Sequence, residues 1–294
     1  MRASFLDTMI LVGWIALILS CSKTNFAQSN DSSNKSKLEG KNQNLPKIDL
    51  SHWKVTLPIG SPPIEVEPPA ILDYASNETL KPYMYNDTKD GSIVFYAYPE
   101  STTANTTYSR SELREQMVPG KNNINWTFAQ GGKMKGTLKM EDISRGKDGK
   151  YHRAIVMQIH GRLSNAQRDL IGQKDNNAPP VLKIYWNDGR VRVIRKVLVN
   201  TNVNDIDILK DDSWTDEGVW LGTNVDFKKF TLEVIITKGR MEVILNDIHN
   251  VVWQDIHMEK WGVFENYFKA GNYFQSKDKG SFAKVKYFDL TINH

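Results

Sequence analysis

The chain has 294 residues, a single cysteine and a formal net charge of +4. One cysteine excludes a disulfide framework, and so mild a charge favours an anionic partner without the basic excess of a nucleic-acid binder. With a leader and a polar tether set aside, about 250 residues remain, a normal size for one all-β domain with a sizeable core.

In chain order, Arg2 precedes the apolar run Met9–Ser20, which is too short for a comfortable membrane span and fits the core of a signal peptide. The run ends in Ile18-Leu-Ser-Cys21, similar to a bacterial lipobox, so residues 1–21 are expected to be a lipoprotein-type signal peptide acylated at Cys21. The alternative is an ordinary secretion signal cleaved nearby. Either way the protein is exported, as an outer-membrane or cell-surface lipoprotein of a Gram-negative bacterium or otherwise as a secreted protein. Residues 22–46, rich in Ser, Asn and Lys, read as a flexible tether.

The domain, 47–294, opens with Ile48-Asp-Leu-Ser-His-Trp-Lys-Val-Thr-Leu-Pro58, read as one strand ending at a proline. Residues 59–80 carry several prolines and read as a surface loop. Strands follow at Ser92–Tyr98, Ser109–Glu115, Lys133–Met140, Arg153–His160, Val181–Trp186, Arg190–Val199, Phe230–Thr237, Arg240–Leu245 and Ser281–Ile292. Asn187-Asp188-Gly189 and Lys238-Gly239 are hairpin signals. Helical periodicity is scarce. Many short strands with turns between them predict an antiparallel sandwich or jelly roll. The Asn-X-Ser/Thr triplets at Asn77, Asn86, Asn105 and Asn125 read as chance behind a lipobox-like start.

Three stretches carry candidate chemistry. In Ser109-Arg-Ser-Glu-Leu-Arg-Glu115, strand alternation puts Arg110, Glu112 and Arg114 on one face and Ser111 and Leu113 on the other. That polar face is either a solvated outer surface or the floor of a groove where guanidiniums clamp carboxylates. In Arg153–His160, Ile155, Met157 and Ile159 share one face, with Gln158 and His160 one pleat apart on the other. A lone histidine is more often structural, but a glutamine beside it points to a polar cleft. In Asn266-Tyr-Phe-Lys-Ala-Gly-Asn-Tyr-Phe-Gln275, Phe268, Ala270 and Phe274 face the core, while Tyr267, Lys269, Gly271, Tyr273 and Gln275 face away. Gly271 leaves room for close approach to the backbone, or marks a bulge.

Arg110-Ser-Glu-Leu-Arg114, Gln158-Ile-His160 and Tyr267-Phe-Lys-Ala-Gly-Asn-Tyr-Phe-Gln275 resemble, in order and spacing, the three signature blocks of polysaccharide lyase family 7, the alginate lyases. Trp53-Lys-Val-Thr-Leu-Pro58 is similar to that family's first strand. The resemblance implies a β-jelly roll of two antiparallel sheets, with the cleft on the concave one. It also implies cleavage of alginate by β-elimination, which leaves a 4,5-unsaturated uronate end.

By the same resemblance, Arg110 and Gln158 neutralise the substrate carboxylate, and His160 and Tyr273 are the acid–base pair. The histidine takes the C5 proton of guluronate; the tyrosine protonates the leaving oxygen and also serves as base for mannuronate. Arg114 and Lys269 bind neighbouring carboxylates, Glu112 orients the arginines, and Gln275 joins the substrate-binding set. Ile159, between Gln158 and His160, implies a bias toward guluronate-containing blocks. No cofactor or metal is expected. The expected partner is alginate, with no nucleic acid, membrane contact only through a lipid anchor at Cys21, and a monomeric chain. A lyase on another polyuronate such as glucuronan, or a non-catalytic lectin-like domain, are the alternatives. No pair of carboxylates arranged as in a glycoside hydrolase is evident.

Overall fold

Period-two alternation of apolar and polar residues dominates the chain from Lys47 to Asn293, and it folds into two sheets around one apolar core. The computed structural model describes residues 44–103 and 106–294. The expected signal peptide with Cys21, tether residues 22–43 and Asn105 lie outside the described residues.

The strands are β1 (Lys47–Ile48), β2 (Trp53–Thr56), β3 (Glu65–Val66), β4 (Met84–Asp87), β5 (Ser92–Ala97), β6 (Arg110–Glu115), β7 (Trp126–Thr127), β8 (Gly132–Ile143), β9 (Arg153–Arg162), β10 (Asn177–Asn187), β11 (Arg190–Leu198), β12 (Trp214–Leu221), β13 (Phe230–Thr237), β14 (Arg240–Leu245), β15 (His249–Trp253), β16 (Glu265–Phe274) and β17 (Ala283–Asn293). One sheet runs β15-β14-β13-β8-β17-β5-β4, with β1 beside β17; the other runs β12-β11-β10-β9-β16-β6-β2-β3, with β7 beside β16. All pairings are antiparallel except β1 with β17. The chain belongs to the predicted class, an all-β jelly roll of two antiparallel sheets.

Local chemistry explains most boundaries. Asp188 and Gly189 both have positive φ, 49° and 81°, as a two-residue hairpin turn requires. The strand expected over 48–58 is instead broken in two. The Asp49 carboxylate accepts from the Ser51 N–H at 2.8 Å and the Trp53 N–H bonds back to the Leu50 carbonyl, so the chain turns and β1 and β2 enter different sheets. Such a side-chain turn competes with strand pairing. The loop 59–80 contains the short edge strand β3. β4, β7, β12 and β15 were not expected from the sequence, nor were the helices α1 (Asn165–Leu170) and α2 (Ile256–Trp261). Each helix is short and held by its cap: Ser164 and Gln167 form a reciprocal capping box, and Asp255 accepts from two backbone N–H groups of α2.

Between the sheets lie Trp53, Trp126, Trp186, Phe95, Phe268 and Phe274, all but withdrawn from water. Two polar side chains cross this core to reach the backbone of the other sheet. Asn272 donates to the carbonyls of Phe95 and Ala283 at 3.1 and 2.8 Å. The Tyr287 hydroxyl donates to the Val156 carbonyl and accepts from the Gly271 N–H at 3.2 Å. Both partners of Tyr287 sit where strand register slips. β16 carries an extra residue opposite β9 between Ala270 and Tyr273, and β9 carries one opposite β10 between Ile155 and Met157. A bulge leaves ladder groups unpaired, and Tyr287 satisfies one in each strand.

The bulge corrects one expectation. Ile155 does not share the core face with Met157 and Ile159, because the slip at Val156 reverses the alternation. Val156 joins Met157 in the core and Ile155 turns to the outer face.

Candidate active site

The three motif-bearing strands are neighbours in the middle of the nine-stranded sheet, in the order β9-β16-β6. Register then lays their outward side chains in rows. Arg114 stands opposite Lys269, which stands opposite Gln158; Arg110 stands opposite Tyr273; Tyr267 stands opposite His160. Directly opposite residues share a face and touch. Central strands, paired on both sides, give these side chains a rigid base.

Gly271 occupies the position opposite Glu112. Its φ is +132°, and a Cβ there would lie 2.8 Å from the Ser111 carbonyl oxygen and 3.0 Å from Glu112 Cα. Only glycine suits that backbone and that approach. The side-chain-free slot sits over Glu112, and three donors converge on its buried carboxylate. Arg110 Nη1 is 3.0 Å from Oε2, Lys269 Nζ is 2.6 Å from Oε2, and Gln158 Nε2 is 2.5 Å from Oε1. Glu112 was expected to orient both arginines; it holds Arg110 but not Arg114.

Arg114 donates instead to the carbonyls of Glu115 and Asn122 and to the Asn125 side chain, and lies 4.1 Å from the centre of the Tyr267 ring. Burial lowers the Lys269 pKa to about 8, with the Arg110 charge adding to the effect and Glu112 opposing it.

Arg110 is committed on one side only. With Nη1 on Glu112 and its guanidinium 3.9 Å above the Tyr273 ring, its Nε and Nη2 are buried and have no hydrogen-bond partner. These two nitrogens form one edge of the guanidinium, the edge that grips a carboxylate with two parallel bonds. A buried donor without a partner costs about 1–3 kcal/mol, which an arriving carboxylate would recover.

His160 Nδ1 lies 3.0 Å from the Gly161 carbonyl, and the ring stacks on Tyr267 at 5.3 Å and 13°. A carbonyl only accepts, so Nδ1 carries the proton, and in the neutral ring Nε2 is a bare lone pair. Burial, then the Lys269 charge, push the His160 pKa down to about 3, against the opposing Gly161 bond. Burial likewise raises the pKa of the Tyr273 hydroxyl, which the Arg110 charge only partly offsets.

Arg110, Gln158, His160, Tyr273 and Gln275 line one cleft, with Gln275 donating to the Tyr273 carbonyl at 3.2 Å. Glu112, Arg114 and Lys269 do not line it; they are buried on the neighbouring strands, Lys269 opposite both Gln158 and Arg114.

A family model described as alginate lyase matches residues 48–294. The chain belongs to polysaccharide lyase family 7, the alginate lyases. Among solved structures, the family 7 alginate lyase A1-II′ in complex with a product written GGG is 28% identical, with a TM-score of 0.64, over 84% of this chain and 96% of its own. An alginate lyase from Pseudomonas aeruginosa is 22% identical, with a TM-score of 0.61, over 84% of this chain and 99% of its own. One from Corynebacterium sp. is 21% identical, with a TM-score of 0.59, over 85% and 98%. The last two share the fold. Curated proteins give no sequence match.

This polysaccharide lyase also brings to its cleft residues that carry no motif. Tyr108, Pro180, Lys183 and Tyr185 line the wall. Tyr267, which opens the third motif, supports His160 from beside it. Tyr267 alternates with Lys269 and Tyr273, so its face was legible; its partner was not. Lys183 and Tyr185 become visible only through register, opposite Gln158 and Ile155.

Proposed function

We propose that the lyase cleaves alginate by β-elimination, with His160 as base on guluronate, Tyr273 as acid, and Arg110 and Gln158 neutralising the carboxylate at the reacting sugar. The observation that carries this is the partnerless Nε/Nη2 edge of Arg110 in the same cleft as a neutral histidine. The C5 proton is weakly acidic because the adjacent carboxylate resists further negative charge, and preorganised donors relieve that. His160 Nε2 takes the C5 proton, the C5–H pair forms the C4–C5 double bond, the C4–O4 bond breaks, and the leaving oxygen takes the Tyr273 proton. Arg114 and Lys269 act chiefly through position, Arg114 by fixing Tyr267 and Lys269 through Glu112.

The raised Tyr273 pKa favours a proton donor over a base, which supports guluronate over mannuronate. Ile159 is fully buried, so its influence on Gln158 and His160 passes through packing beneath them and is worth only about 1–3 kcal/mol. Initial rates on purified polyguluronate, polymannuronate and mixed blocks, read as ultraviolet absorbance of the unsaturated product, test the reading. Guluronate-containing blocks are expected to be cut faster, without exclusion of polymannuronate. Faster cleavage of polymannuronate than of both others would reject the preference. No product from any alginate, with product from glucuronan, would reject the substrate.

A pH profile follows from the shifted groups. Because His160 is neutral above about pH 3, kcat/KM should stay level from about pH 5 to 7 and show no loss centred on the ordinary histidine value near 6.5. It should decline above about pH 8 as Lys269 loses the charge that pairs with Glu112. A midpoint near 6.5 on the acid side would show that His160 titrates normally.

A further inference from the structure

The row that holds Arg110 and Tyr273 does not end at the cleft. Cross-strand register continues it from Tyr273 to Ile155, Tyr185, Arg192 and finally Trp220 on the edge strand β12. Each step is one strand spacing of about 4.8 Å, so aromatic rings recur every two strands, about 10 Å apart. Each ring has a guanidinium over it: Arg110 at 3.9 Å from Tyr273, Arg153 at 5.3 Å from Tyr185, and Arg190 and Arg192 at 4.4 and 5.2 Å from Trp220. A ring paired with a cation, repeated along a line, matches a polymer that repeats a pyranose ring and a carboxylate.

Trp220 is the far member of this series and is 42% exposed, unusual for so large an apolar ring. Its two arginines are in no ion pair with a described residue, whereas nearby Lys183 and Lys196 are both paired with Asp216, and Arg195 with Glu217 and Asp255. Gly218, one pleat along on the same face, makes room for the Arg192 guanidinium beside Trp220; a Cβ there would come within 3.2 Å of it. A structural cation–π cluster needs neither the exposure of the ring nor two unpaired guanidiniums.

We infer that Trp220, Arg190 and Arg192 form a distal subsite for a uronate polymer, stacking one sugar ring and pairing its carboxylate. The site lies about 19 Å from Tyr273, four strand spacings along the row. This rests on the cleft being the alginate-cutting site, and it makes binding dependent on chain length.

The test is the affinity of alginate oligomers of increasing length, measured by calorimetry on Tyr273→Phe protein with and without Trp220→Ala. Affinity should rise once the oligomer is long enough to reach β12, and Trp220→Ala should remove that rise, weakening long chains about tenfold. Trp220→Phe should keep most of it, since a phenyl ring still stacks. Unfolding temperatures within a few degrees of the parent would exclude misfolding. Equal weakening of short and long oligomers by Trp220→Ala, or no change in either, would overturn the subsite. The binding arm stands apart from catalysis: length-dependent binding through Trp220, together with wild-type protein that leaves alginate uncut, would overturn the lyase chemistry and keep the subsite.

Discussion

Tyr273→Phe should lower turnover on every alginate block by about 10²–10⁴-fold while the protein stays folded, and His160→Ala should do the same on guluronate. Removing the Tyr273 hydroxyl leaves the ring beneath Arg110, so packing and the guanidinium's orientation survive. On the proposed mechanism what is lost is the proton for the departing oxygen, in a position where burial raises the phenol's pKa. His160→Ala removes the bare Nε2 and also the ring that stacks on Tyr267, so a modest loss of stability should accompany it. Circular dichroism and unfolding temperature separate the two effects, and kcat reads the chemistry. Near wild-type turnover by Tyr273→Phe would remove the tyrosine from its assigned role.

Glu112→Gln is expected to cost about 3–5 kcal/mol of stability, because it strands two buried cations, Arg110 and Lys269, around a neutral group. In a domain of this size that is about 6–20 °C of melting temperature. Activity should fall as well, since the Arg110 edge proposed to meet the carboxylate is aimed by its bond to Glu112. Denaturant midpoints at unchanged slope measure the stability term. Adding Lys269→Met to Glu112→Gln should recover part of the loss, because one of the stranded charges is then gone. If the double variant is as unstable as the sum of the two single variants, the buried charge cluster is not what Glu112 supports.

The two hairpin turns and the faces of β6 and β16 were legible from alternation and turn chemistry alone. These are local properties, decided by residues within a few positions of one another. Edge strands were harder. β12 is largely exposed and carries Asp216, Glu217 and Gly218, so its pairing with β11 left no apolar pattern to read. Ile155 was assigned to the wrong face because a bulge depends on the partner strand's register, and nothing in Arg153–His160 marks it.

The core face of β6 holds a further case. Glu115 is buried beneath the sheet, where it accepts from Trp126 Nε1, from the Phe268 N–H and from His294 Nε2 at 3.0, 2.8 and 2.5 Å. His294 Nδ1 also faces the Gly131 carbonyl, and although burial alone would lower the His294 pKa, the Glu115 carboxylate raises it. Strand alternation places Glu115 on that face, but its three donors come from distant parts of the chain.

The sequence by itself determined the faces of β6 and β16 and which three strands carry the motifs, because period-two geometry follows from the backbone. Only the tertiary structure decided what each of them touches. Glu112 becomes the partner of Arg110, Gln158 and Lys269, rather than of both arginines, because β16 lies between β6 and β9 with Gly271 opening a slot over it. His160 is held neutral by burial and by Lys269, a charge that register brings near it from the neighbouring strand. Contacts of this kind depend on strand order and register, and those are settled by the packing of the whole sheet.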